Sequence, residues 1–239
     1  APTGGGLYLR DSGLVEHATI GHNTADNEAG GLFVDFGGTV RNTVIHGNAA
    51  PADADLGLLG FGYAFEHCAA TLAPDGSSGT VTGDPLLDGG LRLTLGSPCV
   101  DAGQATGLTP DLAGIPRPLD GTGDGVAGYD IGAFELVHPT ADTDRDGMGD
   151  AAELTADTAP DDPDCYLRIT DIRKTGSGVD VHWRGGCRVP QILETREHLT
   201  GPAEPWVPLH TVSPPTPVLG SYLHGDPVGT QRFYRIRIP

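Results

Sequence analysis

Residues 4–28 and 29–53 are two copies of one pattern. At an offset of 25, Gly6, Leu7, Tyr8 and Leu9 meet Gly31, Leu32, Phe33 and Val34. Farther along, Gly13, Val15, Ile20 and Asn23 meet Gly38, Val40, Ile45 and Asn48. Each copy is a series of short alternating apolar runs broken by glycine and asparagine turns. A unit of this kind cannot bury its apolar face alone and must stack on its neighbour, so the period points to a β-solenoid. Leu7, Leu9, Val15 and Ile20, with Leu32, Val34, Val40 and Ile45 below them, are expected to form one continuous core. Asparagines at matching corners are expected to stack as a hydrogen-bonded ladder. A degenerate third coil follows in "DLGLLGFGYAFEHCAATL", where Phe61, Tyr63 and Phe65 alternate. The first coil would expose strand edges and apolar side chains at its free end. Something is therefore expected to cover that end, either upstream coils or another protein subunit.

Composition limits what else the chain can be. Its 37 glycines and 20 prolines among 239 residues favour short strands and turns over long helices. No apolar run approaches the ~20 residues of a membrane span, and no signal peptide is visible, so the chain reads as mature, trimmed or part of something longer. The formal net charge is −18 and unevenly placed: −13 over residues 1–141, −8 over 142–164 and +3 over 165–239. Nucleic acids and anionic membranes bind basic surfaces, so this balance argues against both as partners and suits divalent cations.

The most concentrated acidity has a recognisable order. In "DTDRDGMGDAAE", residues 142–153, oxygen side chains occupy the first, third, fifth, ninth and twelfth places, with glycine at the sixth. That is the ligand spacing of a calcium loop. Asp142, Asp144 and Asp146 would give one oxygen each, Met148 its backbone carbonyl, Asp150 a direct or water-bridged contact, and Glu153 a bidentate carboxylate. Gly147 permits the sharp turn. Asp157, Asp161, Asp162 and Asp164 follow at irregular spacing as candidates for a second ion. A metal here would convert an acidic tether into a stiff joint, because ion binding and local folding would be one event.

The four cysteines, Cys68, Cys99, Cys165 and Cys187, lack zinc spacings. Four cysteines allow three pairings, and their distribution favours Cys68–Cys99 and Cys165–Cys187. Disulfides together with calcium would place the protein outside the cytoplasm, in a secreted, cell-surface or periplasmic setting.

Residues 83–135 carry "GDPLL", "LRLTLGSPCVDAG", "DLAGIPRP" and "YDIGAFE". These resemble the closing segment of secreted bacterial right-handed parallel β-helix proteins, the module called choice-of-anchor Q. The resemblance covers residues 4–135 and implies a β-helix closed by these loops, without implying one activity. Within them Arg117 stands among Asp101, Asp111, Asp130 and Glu135, a set suited to holding irregular loops through charge-assisted hydrogen bonds. The acidic loop resembles thrombospondin type-3 calcium linkers. Residues 165–239 contain five or six strand candidates, "CYLRITDI", "GVDVHW", "PQILETRE", "PWVPLHTV", "SYLHG" and "QRFYRIRIP", at roughly ten-residue spacing, as in a small β-sandwich. With Trp183, Trp206 and a final "FYRI", this region is similar to a fibronectin-III-like tail domain.

The expected architecture is therefore all-β: parallel β-helix coils and closing module over 1–137, a calcium-binding linker over 138–164, and a β-sandwich over 165–239. Scattered acids, only Arg10 and Arg41 as bases in the coils, and no nucleophile or metalloprotease motif argue against catalysis. His17, His22, His46 and His67 read as coil-corner or surface residues. The expected role is a non-catalytic extracellular calcium-binding structural, adhesive or accessory subunit. The alternative is the C-terminal portion of a β-helix protein that acts on or binds a polysaccharide, with glycan as its ligand.

Overall fold

The computed structural model describes residues 2–186, 189–198, 205–225 and 231–239. Among them are sixteen strands and one helix, so the chain is nearly all β, and contacts divide it into two compact units, Ala1–Thr143 and Asp144–Pro239.

In the first unit, three successive passages of chain contribute to the same three parallel sheets. The first supplies β1 (Leu7–Arg10), β2 (Leu14–Glu16) and β3 (Thr19–Ile20). The second supplies β4 (Leu32–Asp35), β5 (Gly38–Arg41) and β6 (Val44–Ile45), and the third β7 (Leu56–Leu59), β8 (Tyr63–Glu66) and β9 (Ala69–Ala70). A short β10 (Val81–Thr82) adds to β9. The sheet orders are β1-β4-β7, β2-β5-β8 and β3-β6-β9-β10. The register is the one the repeat predicts: Leu7 opposite Leu32, Leu9 opposite Val34, Val15 opposite Val40 and Ile20 opposite Ile45.

Alternate residues of these strands point inward, as the pleat requires. Leu32, Val34, Val40, Ile45, Leu56 and Phe65 form a buried cluster, with Leu7, Leu9 and Val15 half-covered against it. The aromatic alternation of the third passage is only partly realised. Phe65 is buried and Tyr63 half-buried, but Phe61 falls in the turn between β7 and β8, 79% exposed, with its ring edge-on to Phe36.

Side chains in matching positions link the passages. The Asn48 side chain accepts from the Asn23 backbone N–H (3.0 Å) and side-chain amide (3.1 Å), and donates to Asp55 (3.0 Å), so an aspartate ends the expected ladder. Arg41 pairs with Glu16 above (3.1 Å) and Glu66 below (2.8 Å). A third column, His17, Asn42 and His67, has left-handed backbone at φ 46°, 45° and 50°. A strap of the closing segment runs along it. His67 Nδ1 meets the Ala102 carbonyl at 2.8 Å, Asn42 exchanges two bonds with Gln104 (2.8 and 2.9 Å), and His17 Nε2 meets Thr106 at 2.9 Å.

The disulfide expected between Cys68 and Cys99 is absent. Both are free thiols in separate apolar clusters: Cys68 packs with Phe65 and Ala70, Cys99 with Leu93 and Ile131. The Cys68 thiol is spent on the Val40 carbonyl at 3.3 Å. Burial pushes both thiols up to about 11. Cys165 is a free thiol as well, and its expected partner Cys187 lies outside the described residues.

The second unit holds α1 (Asp150–Ala156) and six strands: β11 (Arg168–Thr175), β12 (Gly178–Arg184), β13 (Gln191–Arg196), β14 (Val207–Val212), β15 (Leu219–Gly225) and β16 (Phe233–Arg237). Each overlaps a strand candidate of the sequence, though β11 runs three residues farther, to Thr175, and β15 begins earlier, at Leu219. They form two antiparallel sheets, β11-β12-β15 and β14-β13-β16. Val181 and Trp183 of the first and Leu193 of the second share one apolar cluster with Ile169, Leu209, Tyr222 and Ile236.

Stacking predicts a sharp contrast between two apolar positions. Ile45→Ala, at a fully buried site, should cost about 2–5 kcal/mol. Leu14→Ala, at a side chain 56% exposed, should change stability by less than about 0.5 kcal/mol. Urea unfolding of both variants measures the difference, and equal losses would contradict the packing described.

Candidate functional site

Carboxylates concentrate in two places with opposite chemistry. The first is the closing segment, where each buried acid is surrounded by backbone N–H groups. Asp111 accepts from Ala113, Ile115 and Glu135 (2.7–2.8 Å). Asp130 accepts from Asp101 (2.8 Å) and Leu136 (2.6 Å), and Asp120 from Gly123, Asp124 and Gly125. Arg117 ties these loops together: its Nε lies 3.4 Å from Glu135, its Nη2 donates to the Gly132 carbonyl at 3.0 Å, and its Nη1 donates to His17 Nδ1. Accepting that bond requires a neutral imidazole. Burial and the guanidinium hold His17 down to about 4. Burial, reinforced by the Asp130 carboxyl, raises Glu135.

Of the four carboxylates expected to gather round Arg117, Glu135 is the one in an ion pair with it among the described residues; Asp101, Asp111 and Asp130 accept main-chain N–H groups instead. The role of His17 was not legible: nothing in the sequence marks its partner Arg117, one hundred residues away. A cleft of about 420 Å³ opens beside this network, bordered by Glu16, His17, Asp111, Leu112 and Arg117. Its charged groups are all engaged: Glu16 with Arg41, Asp111 with main-chain amides, and Arg117 with Glu135 and His17.

The second concentration is the acidic loop. Asp142, Asp144 and Asp146 each bring one carboxylate oxygen within 4.8 Å of the others. The loop's own amides shape it: Asp146 N–H donates to Asp144 (3.1 Å) and Met148 N–H to Asp146 (2.7 Å). Gly147 turns the chain at φ 93°. Helix α1 begins at Asp150, the ninth position, after an extended Gly149, so one helical turn brings Glu153 round to the loop.

Glu153 decides what this place can do. It is fully buried. Its Oε1 accepts from the Thr158 hydroxyl at 3.2 Å, whereas Oε2 has no hydrogen-bond partner among the described residues, and neither has the buried Oδ2 of Asp146. Burial, with Asp144 and Asp146 beside it, pushes Glu153 up to about 8. A buried carboxylate facing other carboxylates is strongly unfavourable without a compensating charge.

Met148 lies in the bend before α1 and Asp150 opens the helix; among the described residues the 4.8 Å group consists of Asp142, Asp144 and Asp146, joined neither by Asp150 and Glu153 nor by Asp157, Asp161, Asp162 and Asp164. Asp157 caps α1 in left-handed conformation, and Asp164 lies 3.7 Å from Arg184. No protein-family model, curated protein or solved structure matches this chain.

The raised Glu153 gives a pH test in chelator. Its folded-state value exceeds the ordinary 4.5, so the folded protein binds the extra proton between pH 4.5 and about 8. Stability contributed by this group is therefore present at low pH and lost as pH rises through about 8. Glu153→Gln cannot ionise and should lack that loss, making it more stable than wild type above pH 8 by about 1–3 kcal/mol. Thermal unfolding from pH 5 to 9 measures the difference.

Proposed function

We propose that this chain is a non-catalytic, calcium-stabilised structural, adhesive or accessory protein of an extracytoplasmic setting. The carrying observation is the fully buried Glu153, its Oε2 unpartnered, beside Asp144 and Asp146 of the three convergent aspartates. A hard cation accepting six to eight oxygens is the group that would satisfy such a set. Asp142, Asp144, Asp146, the Met148 carbonyl, Asp150 and Glu153 would hold calcium, which supplies the positive charge that neutralises them. Asp157, Asp161, Asp162 and Asp164 have no place in this reading.

In the same reading the stacked parallel strands of the first unit are coils of a right-handed parallel β-helix, closed by residues 83–135 in the manner of the choice-of-anchor Q module. The two antiparallel sheets of the second unit are a fibronectin-III-like sandwich. The extracytoplasmic setting follows from the calcium loop and does not draw on disulfides. The engaged charges around the Arg117 cleft support a structural role for that region. Strands β1, β2 and β3 each lie at the end of their sheet, with Leu7, Leu9 and Val15 only half-covered. Further coils or another subunit would cover that edge. Among the described residues no helix is long and apolar enough to cross a membrane.

Isothermal titration of the chelator-treated chain with calcium should show one site. Glu153→Gln should weaken it by about tenfold or more, equal to about 1.4 kcal/mol, and Asp157→Asn should leave it unchanged. Absence of calcium uptake by the wild-type chain would overturn the reading.

A further inference from the structure

Helix α1 carries Glu153 and ends against the sheets of the second unit, and the contact is main chain on main chain. At its C-terminal end the Ala156 and Asp157 carbonyls meet Gly186. A Cβ added at residue 186 would lie 2.6 Å from the Asp157 carbonyl carbon, and closer still to the Ala156 and Asp157 oxygens. No side chain fits at that approach. The backbone of Gly186 lies outside the left-handed region, so it is the close contact, not backbone conformation, that requires glycine here.

The other side of the same residue faces the core. The Gly186 carbonyl accepts from Gln191 Nε2 at 2.7 Å and from the Thr216 hydroxyl. Gln191 Oε1 in turn accepts from Trp183 Nε1 at 2.7 Å, and both side chains are 1% exposed. A buried polar bridge between the two sheets therefore ends on the residue that receives α1. A second tie runs from the loop itself, where the Met148 sulfur accepts from the Leu167 N–H at 3.4 Å, just ahead of β11.

We propose that Gly186 is a positioning residue for the metal loop. It seats α1 against the sheets and so holds Glu153 where the aspartates converge, and through Gln191 it couples occupancy of the loop to the Trp183 core. The inference rests on the calcium reading above, and it extends that reading from the loop to the folding of the whole second unit. Such coupling works in both directions: whatever disturbs the seat weakens the metal, and the metal stabilises the sheets.

Gly186→Ala must push α1 away, and Glu153 with it. Calcium binding to the full chain, measured by titration calorimetry, should weaken about tenfold or more, an overpacking cost of about 1.4 kcal/mol. Gly176→Ala, where an added Cβ meets nothing within 4 Å, is the control and should bind as wild type does. In the unaltered chain, calcium should slow hydrogen exchange at the Trp183 and Gln191 amides at least tenfold relative to chelator. Wild-type affinity in a folded Gly186→Ala chain would overturn the proposal while leaving the calcium reading intact. If Gly186→Ala does not fold, exchange in the unaltered chain decides: slowing by calcium supports the coupling, and unchanged rates overturn it. A wild-type chain that takes up no calcium overturns both readings together.

Discussion

Backbone N–H groups that have no strand beside them are the constraint on which this chain's first unit is built. Regular pairing there ends with β10, and the long segment beyond it consists of turns, two isolated bridges and loops. A buried amide left without an acceptor costs free energy comparable to a lost hydrogen bond. The closing segment meets that demand with carboxylates. Asp111, Asp120 and Asp130 each accept two or three main-chain N–H groups, so an aspartate acts as a compact substitute for a neighbouring strand. The acidic balance of residues 1–141 is thus in part a structural device. Arg117 supplies the single buried cation among them, and its removal would leave Glu135 buried and uncompensated, a loss of about 3–5 kcal/mol for a pair of this kind.

How legible the fold was depended on the range of the interaction. The 25-residue offset names its own partners, because stacked passages place equivalent residues opposite one another, and Leu7–Leu32 through Ile20–Ile45 follow directly. The six strands of the second unit were equally plain, since alternation and turns are local signals. Phe61 was misplaced because alternation runs smoothly across Gly60 and Gly62, whose φ values of 81° and 86° break the strand between β7 and β8. The Cys68–Cys99 pairing failed for a different reason. Even numbers and separation cannot tell which face of a strand a thiol occupies, and Cys68 and Cys99 point into different clusters. The loop's ligand order was readable from spacing alone, whereas Gly186, the seat of α1, is one glycine among 37 with no local mark.

The two acidic regions, made from the same side chains, differ in how their charge is satisfied. In the closing segment the carboxylate oxygens face main-chain donors, and Glu135 has a guanidinium 3.4 Å away. In the loop, Glu153 is as deeply buried but faces Asp144 and Asp146, and the Thr158 hydroxyl, its side-chain donor among the described residues, serves only Oε1. A folded chain can relieve such a position by protonation or by a cation. Protonation suffices only below about pH 8 and leaves the aspartates still repelling one another. A divalent cation relieves all four carboxylates at once and also uses the ring of positions that the turn at Gly147 and the start of α1 create. The loop's geometry and its electrostatic deficit both support the calcium site proposed above. In the proposed coupling, α1 is seated on Gly186, so satisfying that deficit would also steady the sheets behind it.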